Sequence, residues 1–195
     1  TAIPATSSLN IAWYLTSKSY EINGGVPENL KLMVDANDEI MWEMSGPAQK
    51  RTRAAQTDPA TFTAVGTAPP SGLTGYLQVN ATREEFLKAS FEVKNGFAMD
   101  NRAFGTSAAQ AYFRNKKREA LCTIETMSSS DITIEDLSDS NASCTGMVQC
   151  GLTSGSIVGI WAPTLELNEP DSNDNEETIQ HSYKGICKGA SGNDE

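Results

Sequence analysis

The chain has 195 residues and a mass of 20.9 kDa, is 38% apolar, and carries a formal charge of −10. That length suits one good-sized domain and is enough to bury a real core. No apolar run reaches 18 residues, and the 15 Gly and 8 Pro follow no fixed period, which excludes helical membrane-spanning, coiled-coil and collagen-like classes.

The dominant side-chain rhythm is two, the period of a half-buried strand. Leu9, Ile11, Trp13 and Leu15 alternate with Asn10, Ala12 and Tyr14. Leu30, Leu32 and Val34, then Ile40, Trp42 and Met44, predict a hairpin over 30–44 turning at Asp35-Ala36-Asn37-Asp38. Segments 45–60 and 66–75, rich in Gly, Pro, Ala and Thr, read as long loops. Between and beyond them, strands are expected at 61–65 and 76–81. Leu87, Ala89, Phe91 and Val93 alternate with Lys88, Ser90, Glu92 and Lys94, and end at Asn95-Gly96, a dipeptide suited to a type I′ turn. Ser107 and Gln110 form a capping box, so one short helix is expected around 107–118. Further strands are expected at 121–127, 132–135, 156–162 and 178–183. The continuous apolar run of 156–162 predicts a central strand covered on both faces. Residues 166–177 read as an acidic loop with six carboxylates and no cation, and 188–195 as a disordered tail. The sum is an all-β, single-domain antiparallel β-sandwich over 1–187, jelly-roll-like or otherwise, with that one helix.

Charge is unevenly spread. Residues 1–118 hold 13 Lys/Arg against 11 Asp/Glu, a net of +2, whereas 119–195 hold 2 against 14, a net of −12. Nucleic acid as main partner is disfavoured by that balance, and no segment suggests membrane insertion. Two basic clusters run against it: Lys50, Arg51 and Arg53 in the first loop, and Arg114, Lys116, Lys117 and Arg118 on the expected helix. Lys50, Arg51, Arg53, Arg114, Lys117 and Arg118 are the candidate binding residues, since loops and rims of a rigid sandwich are where such folds place recognition.

Catalytic signatures are missing. His181 is the single histidine, so every histidine-based mechanism must pass through it, and its strand setting reads as structural. There is no G-x-S-x-G elbow and no phosphate-binding glycine loop. The acidic segment fails the EF-hand test, because Glu176 stands where that loop needs glycine. No cofactor or metal is expected. Trp13, Trp42 and Trp161 could stack on sugars, but each falls on the apolar side of a strand pattern, which predicts core packing.

Cys122, Cys144, Cys150 and Cys187 lie in the C-terminal 40% with no zinc-type spacing. An even count in a polar, β-rich chain predicts two disulfides and an oxidising compartment. Three connectivities exist; one closes Cys144–Cys150 and leaves Cys122–Cys187 to clamp a long loop.

Many short alternating strands, polar Ser/Thr/Asn faces and long Pro/Gly loops together resemble, at the level of class, the protruding or spike domains of viral capsids and bacterial surface adhesins. That resemblance implies a non-enzymatic attachment domain cut from a larger extracellular or virion protein. Its partner would be a cell-surface glycan or protein receptor, with homo-oligomers compatible with the pattern. The alternatives are a secreted hydrolase using His181 or a carboxylate pair, and a cytosolic β-rich assembly module with reduced thiols.

Overall fold

A computed structural model describes residues 9–15, 18–36, 38, 40–55, 70–100, 111–127, 132–154, 156–175 and 178–188. The described chain is almost entirely antiparallel strand: β1 (Leu9–Leu15), β2 (Lys18–Gly25), β3 (Asn29–Asp35), β4 (Met41–Ser45), β5 (Ala48–Ala55), β6 (Tyr76–Val79), β7 (Thr82–Glu84), β8 (Lys88–Lys94), β9 (Phe97–Asp100) and β10 (Ala111–Arg114), then β11 (Glu119–Met127), helix α1 (Ile132–Asp139), β12 (Ser143–Cys150), β13 (Val158–Leu167), β14 (Asp171–Asn175) and β15 (Thr178–Lys188).

The chain divides into two compact units. The first, residues 1–30, 44–66 and 94–118, holds the three-stranded sheet β1-β2-β5 and the hairpin β9–β10. The second, residues 31–43, 67–93 and 119–195, holds most of a ten-stranded sheet running β4-β3-β8-β11-β15-β13-β12-β6-β7, with β14 on β15.

Within the second unit, alternation builds the core. Leu32 and Val34 on β3, Ala89 and Phe91 on β8, and Cys122 and Ile124 on β11 are all buried. They join Leu77 and Val79 on β6, Val148 on β12, Leu165 on β13 and Tyr183 on β15 in one cluster. Residues from both ends of the sheet therefore meet over the same core, the two-faced packing of a sandwich. A second link ties the ends: the Gly72 N–H donates to the Asp38 carbonyl at 3.0 Å. A Cβ on Gly72 would fall 1.7 Å from the Asp35 carbonyl oxygen, so only glycine permits that approach.

Several expectations need correction. Residues 111–114 are strand, not helix; Tyr112 and Phe113 are aromatic β-formers whose backbone pairs with Met99 and Ala98. Of the rest of that expectation, 115–118 is the non-helical connection to β11 and 107–110 lies outside the described residues, as do strand 61–65 and the tail beyond Lys188, itself the last residue of β15. The helix falls instead at 132–139, where a strand was expected. Ile134, Leu137 and Ser138 recur at helical spacing, Ile134 and Ser138 are buried, and the Ser138 hydroxyl donates to the Asn168 carbonyl at 2.7 Å. The I-T-I run masked this period by imitating alternation. Loop 45–60 is strand over 48–55. The acidic loop contains β14, and two lysines of β15 reach its carboxylates: Lys184 to Asp171 at 2.5 Å and Lys188 to Glu166 at 2.6 Å.

Turn chemistry also moved. The two-residue turn with positive φ at both positions is Asn80-Ala81 (φ 48° and 67°), joining the paired Val79 and Thr82; at Asn95-Gly96 only Gly96 is left-handed (φ 66°). β13 is central as expected, between β15 and β12, yet one of its faces is open. Trp161 there is 64% exposed.

Candidate recognition face

Lys50, Arg51 and Arg53 stand on β5, an edge strand of the three-stranded sheet, rather than in a loop. Register decides which of them act together. Ile11 of β1 pairs with Ile22 of β2, which pairs with Arg51 of β5; Trp13 pairs with Tyr20, which pairs with Arg53. These six side chains share one face by strand alternation, and none is a carboxylate. Lys50 lies on the opposite face, with Glu21 and Thr52.

Two contacts organise the face. The Trp13 and Tyr20 rings stack with centroids 5.5 Å apart and planes 16° from parallel. The Arg51 guanidinium sits over the Tyr20 ring, 5.4 Å from its centroid. Ile11, Trp13, Arg51 and Arg53 are exposed. The result is a stacked aromatic pair on β1 and β2, with Arg53 of β5 on the same rung and Arg51 reaching over the Tyr20 ring. Chemically it can stack on a planar or sugar-like surface and pair with a carboxylate, sulfate or phosphate through the arginine forks.

The second basic cluster belongs to the same unit but to another sheet. Arg114 ends β10 with its guanidinium 5.3 Å over the Phe97 ring, and Lys117 and Arg118 are exposed in the connection to β11. The candidates therefore split between two strand systems of one unit. What composition obscured is how completely charge is partitioned. Unit one holds ten Lys/Arg and four Asp/Glu, a net of +6; unit two holds five and twenty-one, a net of −16.

The tryptophans overturn the core-packing expectation. Trp13, Trp42 and Trp161 are 38%, 52% and 64% exposed. On β4 and over Leu9–Trp13 of β1 the described side chains are exposed on both sides of the strand, and on β13 Trp161, next to buried Ala162, stands on the open face. Trp13 and Tyr20 are the functional candidates that residue counting missed; the signal was the matched Ile-x-Trp and Tyr-x-Ile pairs on consecutive strands.

All four cysteines are free, and Cys122, Cys144 and Cys150 are buried. Cys144 and Cys150 lie six residues apart on one strand, a span of about 20 Å, so a bridge between them within the chain is excluded by the reach of a disulfide. Cys122 and Cys187 are diagonal neighbours on adjacent strands, since Cys122 pairs with Gly185 and Ala120 with Cys187. Burial pushes the Cys187 thiol up to about 11, the neighbouring Cys144 adding to the effect. Burial also raises the Cys122 thiol well above its ordinary value, with Cys187 and Cys144 contributing. These are inert thiols at neutral pH.

His181 occupies a ladder position between Thr126 and Ser172, with Nδ1 3.4 Å from the Tyr183 hydroxyl and the two rings edge to face. Among the described residues no group of three His, Cys, Asp or Glu side chains is placed to hold a metal ion. A shallow groove of about 290 Å³ crosses the second unit over Met33, Met41, Ser90 and Thr123. Lys88 and Asp35 line it and pair with each other at 3.5 Å, and its volume falls short of a typical small-molecule site.

No protein-family model matches the chain, and no curated protein sequence matches it. No described helix is long and apolar enough to cross a membrane.

Proposed function

We propose that this chain is a non-enzymatic recognition domain, part of an extracellular or virion surface assembly, that binds its partner through the Trp13–Tyr20–Arg51–Arg53 face. The observation carrying this reading is the stacked pair of exposed Trp13 and half-buried Tyr20, capped by a guanidinium on a face whose six described side chains include no carboxylate. Rigid strands hold these groups, so little side-chain freedom is lost on binding. The test is an array of glycans and candidate receptor proteins probed with wild type, Trp13→Ala and a Lys50/Arg51/Arg53 triple alanine variant, beside a screen of generic ester, peptide and glycoside substrates. A ligand lost in both variants supports the reading. Turnover that disappears in His181→Ala replaces it with a hydrolase.

A second reading, an intracellular binding or assembly module, draws on the thiols. Three of four are buried and unpaired, and one of the three disulfide connectivities is sterically closed. Intact mass after alkylation, with and without reductant, separates the two. Four alkylated thiols without reductant favour the intracellular reading, and a Cys122–Cys187 bridge favours the extracellular one.

A further inference from the structure

We propose that the aromatic–cationic face of the basic unit docks on the acidic unit of a second copy of this chain. The inference rests on the recognition reading above and names its partner.

The argument starts from charge. A +6 unit and a −16 unit are carried by the same polypeptide, so every molecule in solution presents both halves of a complementary pair at equal concentration. The face that would be buried has two arginines and no carboxylate among Ile11, Trp13, Tyr20, Ile22, Arg51 and Arg53. Arginine suits this role because its planar fork pairs carboxylates in two-point fashion and is weakly hydrated, so burial costs less than for lysine. The aromatic pair and Ile11 supply apolar area that ion pairs alone would lack, and buried Trp, Tyr and Arg are the residue types that dominate interface energetics. On the acidic unit, Trp161, Ile179 and Ile186 are exposed, and the strand ladder pairs Ile186 with Glu166 and Ile179 with Asp174.

A contact between unlike surfaces is heterologous. Each molecule carries one basic face and one acidic unit, so a reciprocal two-fold dimer, a closed ring and an open chain each satisfy the contact. The charge term is screened within a Debye length of ~8 Å at physiological ionic strength, which makes the association steeply dependent on salt.

Sedimentation velocity and light scattering on the full chain test this over a range of protein concentrations, at about 50 mM and about 500 mM salt. The expected result is a mass that climbs with concentration at low salt and returns toward 20.9 kDa at high salt. Arg51→Glu/Arg53→Glu is expected to weaken association at least about tenfold, with an unchanged circular-dichroism spectrum. Lys50→Glu, a single charge reversal on the opposite face of the same strand, is expected to weaken it much less than the single reversal Arg51→Glu. A monomer at every concentration in low salt overturns the proposal. So does association equally sensitive to Lys50→Glu, or binding of heparin or an oligonucleotide without self-association. In a monomeric outcome, a receptor ligand lost on Trp13→Ala leaves the recognition reading standing while the second-copy partner falls; with no such ligand, both fall.

Discussion

The Trp13 indole lies almost parallel to the Tyr20 ring, 5.5 Å from centroid to centroid, at a rung where the two strands pair residue for residue. Direct cross-strand aromatic pairs of this kind couple neighbouring strands. The same two side chains belong to the face proposed above for recognition.

Replacing Trp13 by Ala is expected to cost the sheet about 1 kcal/mol of pairing energy and to remove ligand binding. Arg51→Ala is expected to cost ~0.5–1 kcal/mol, because the cation–π contact to Tyr20 is exposed. Chemical denaturation of each variant, read beside a binding titration, checks the pairing of small stability losses with large affinity losses. Equal affinity for wild type and Trp13→Ala would remove this face from function.

Three exposed indoles predict an unusual optical signature. Native emission should lie near that of tryptophan in water, acrylamide should quench most of it, and unfolding should shift it little. A strongly blue-shifted native spectrum would place at least one indole in the core, contrary to the exposures of Trp13, Trp42 and Trp161.

Much of this architecture was legible where apolar alternation is unbroken. β1, β3, β8 and β11 follow directly from apolar spacing, and in β3, β8 and β11 one buried face fixes the register. β5 was not legible: Gln49, Arg51 and Arg53 alternate with Lys50 and Thr52, polar against polar, so nothing distinguishes its two faces until β2 is laid beside it. β14 was hidden for the same reason, carboxylates and amides carrying no hydrophobic period. α1 was misread because β-branched Ile132, Thr133 and Ile134 imitate a strand over three residues, too few to expose a period of 3.6. The aromatic–arginine face is not legible in the sequence because it is assembled from three strands, whose rows stand next to one another only once the registers are known.

The thiols give a pH dependence with a definite sign. Cys187 is neutral in the fold up to about 11, well above a free thiol. A group whose folded value is raised supplies stability that is complete below the unfolded value and fades as pH climbs toward the folded one. Stability should therefore fall between roughly pH 8.5 and the Cys187 value, as unfolded thiolates become favoured. Cys187→Ser should flatten that fall, and thiol reagents at neutral pH should label native protein slowly. Rapid labelling of Cys122, Cys144 and Cys150 would contradict their burial.

Glu84 offers the sharpest stability test. It is buried at the end of β7, on the rung with Leu77, and its Oε1 lacks a hydrogen-bond partner. An unsatisfied buried oxygen costs about 1–3 kcal/mol, and an inward-pointing charge on the last strand of a sheet discourages another chain from pairing there. β7 is that last strand. Glu84→Leu should therefore stabilise the fold by about 1–2 kcal/mol in urea denaturation while increasing concentration-dependent aggregation. Glu84→Gln keeps the shape and removes the charge, so it should recover part of the gain. A variant less stable than wild type would mean that the carboxylate is satisfied by a partner, and would turn attention from edge protection to what that partner is.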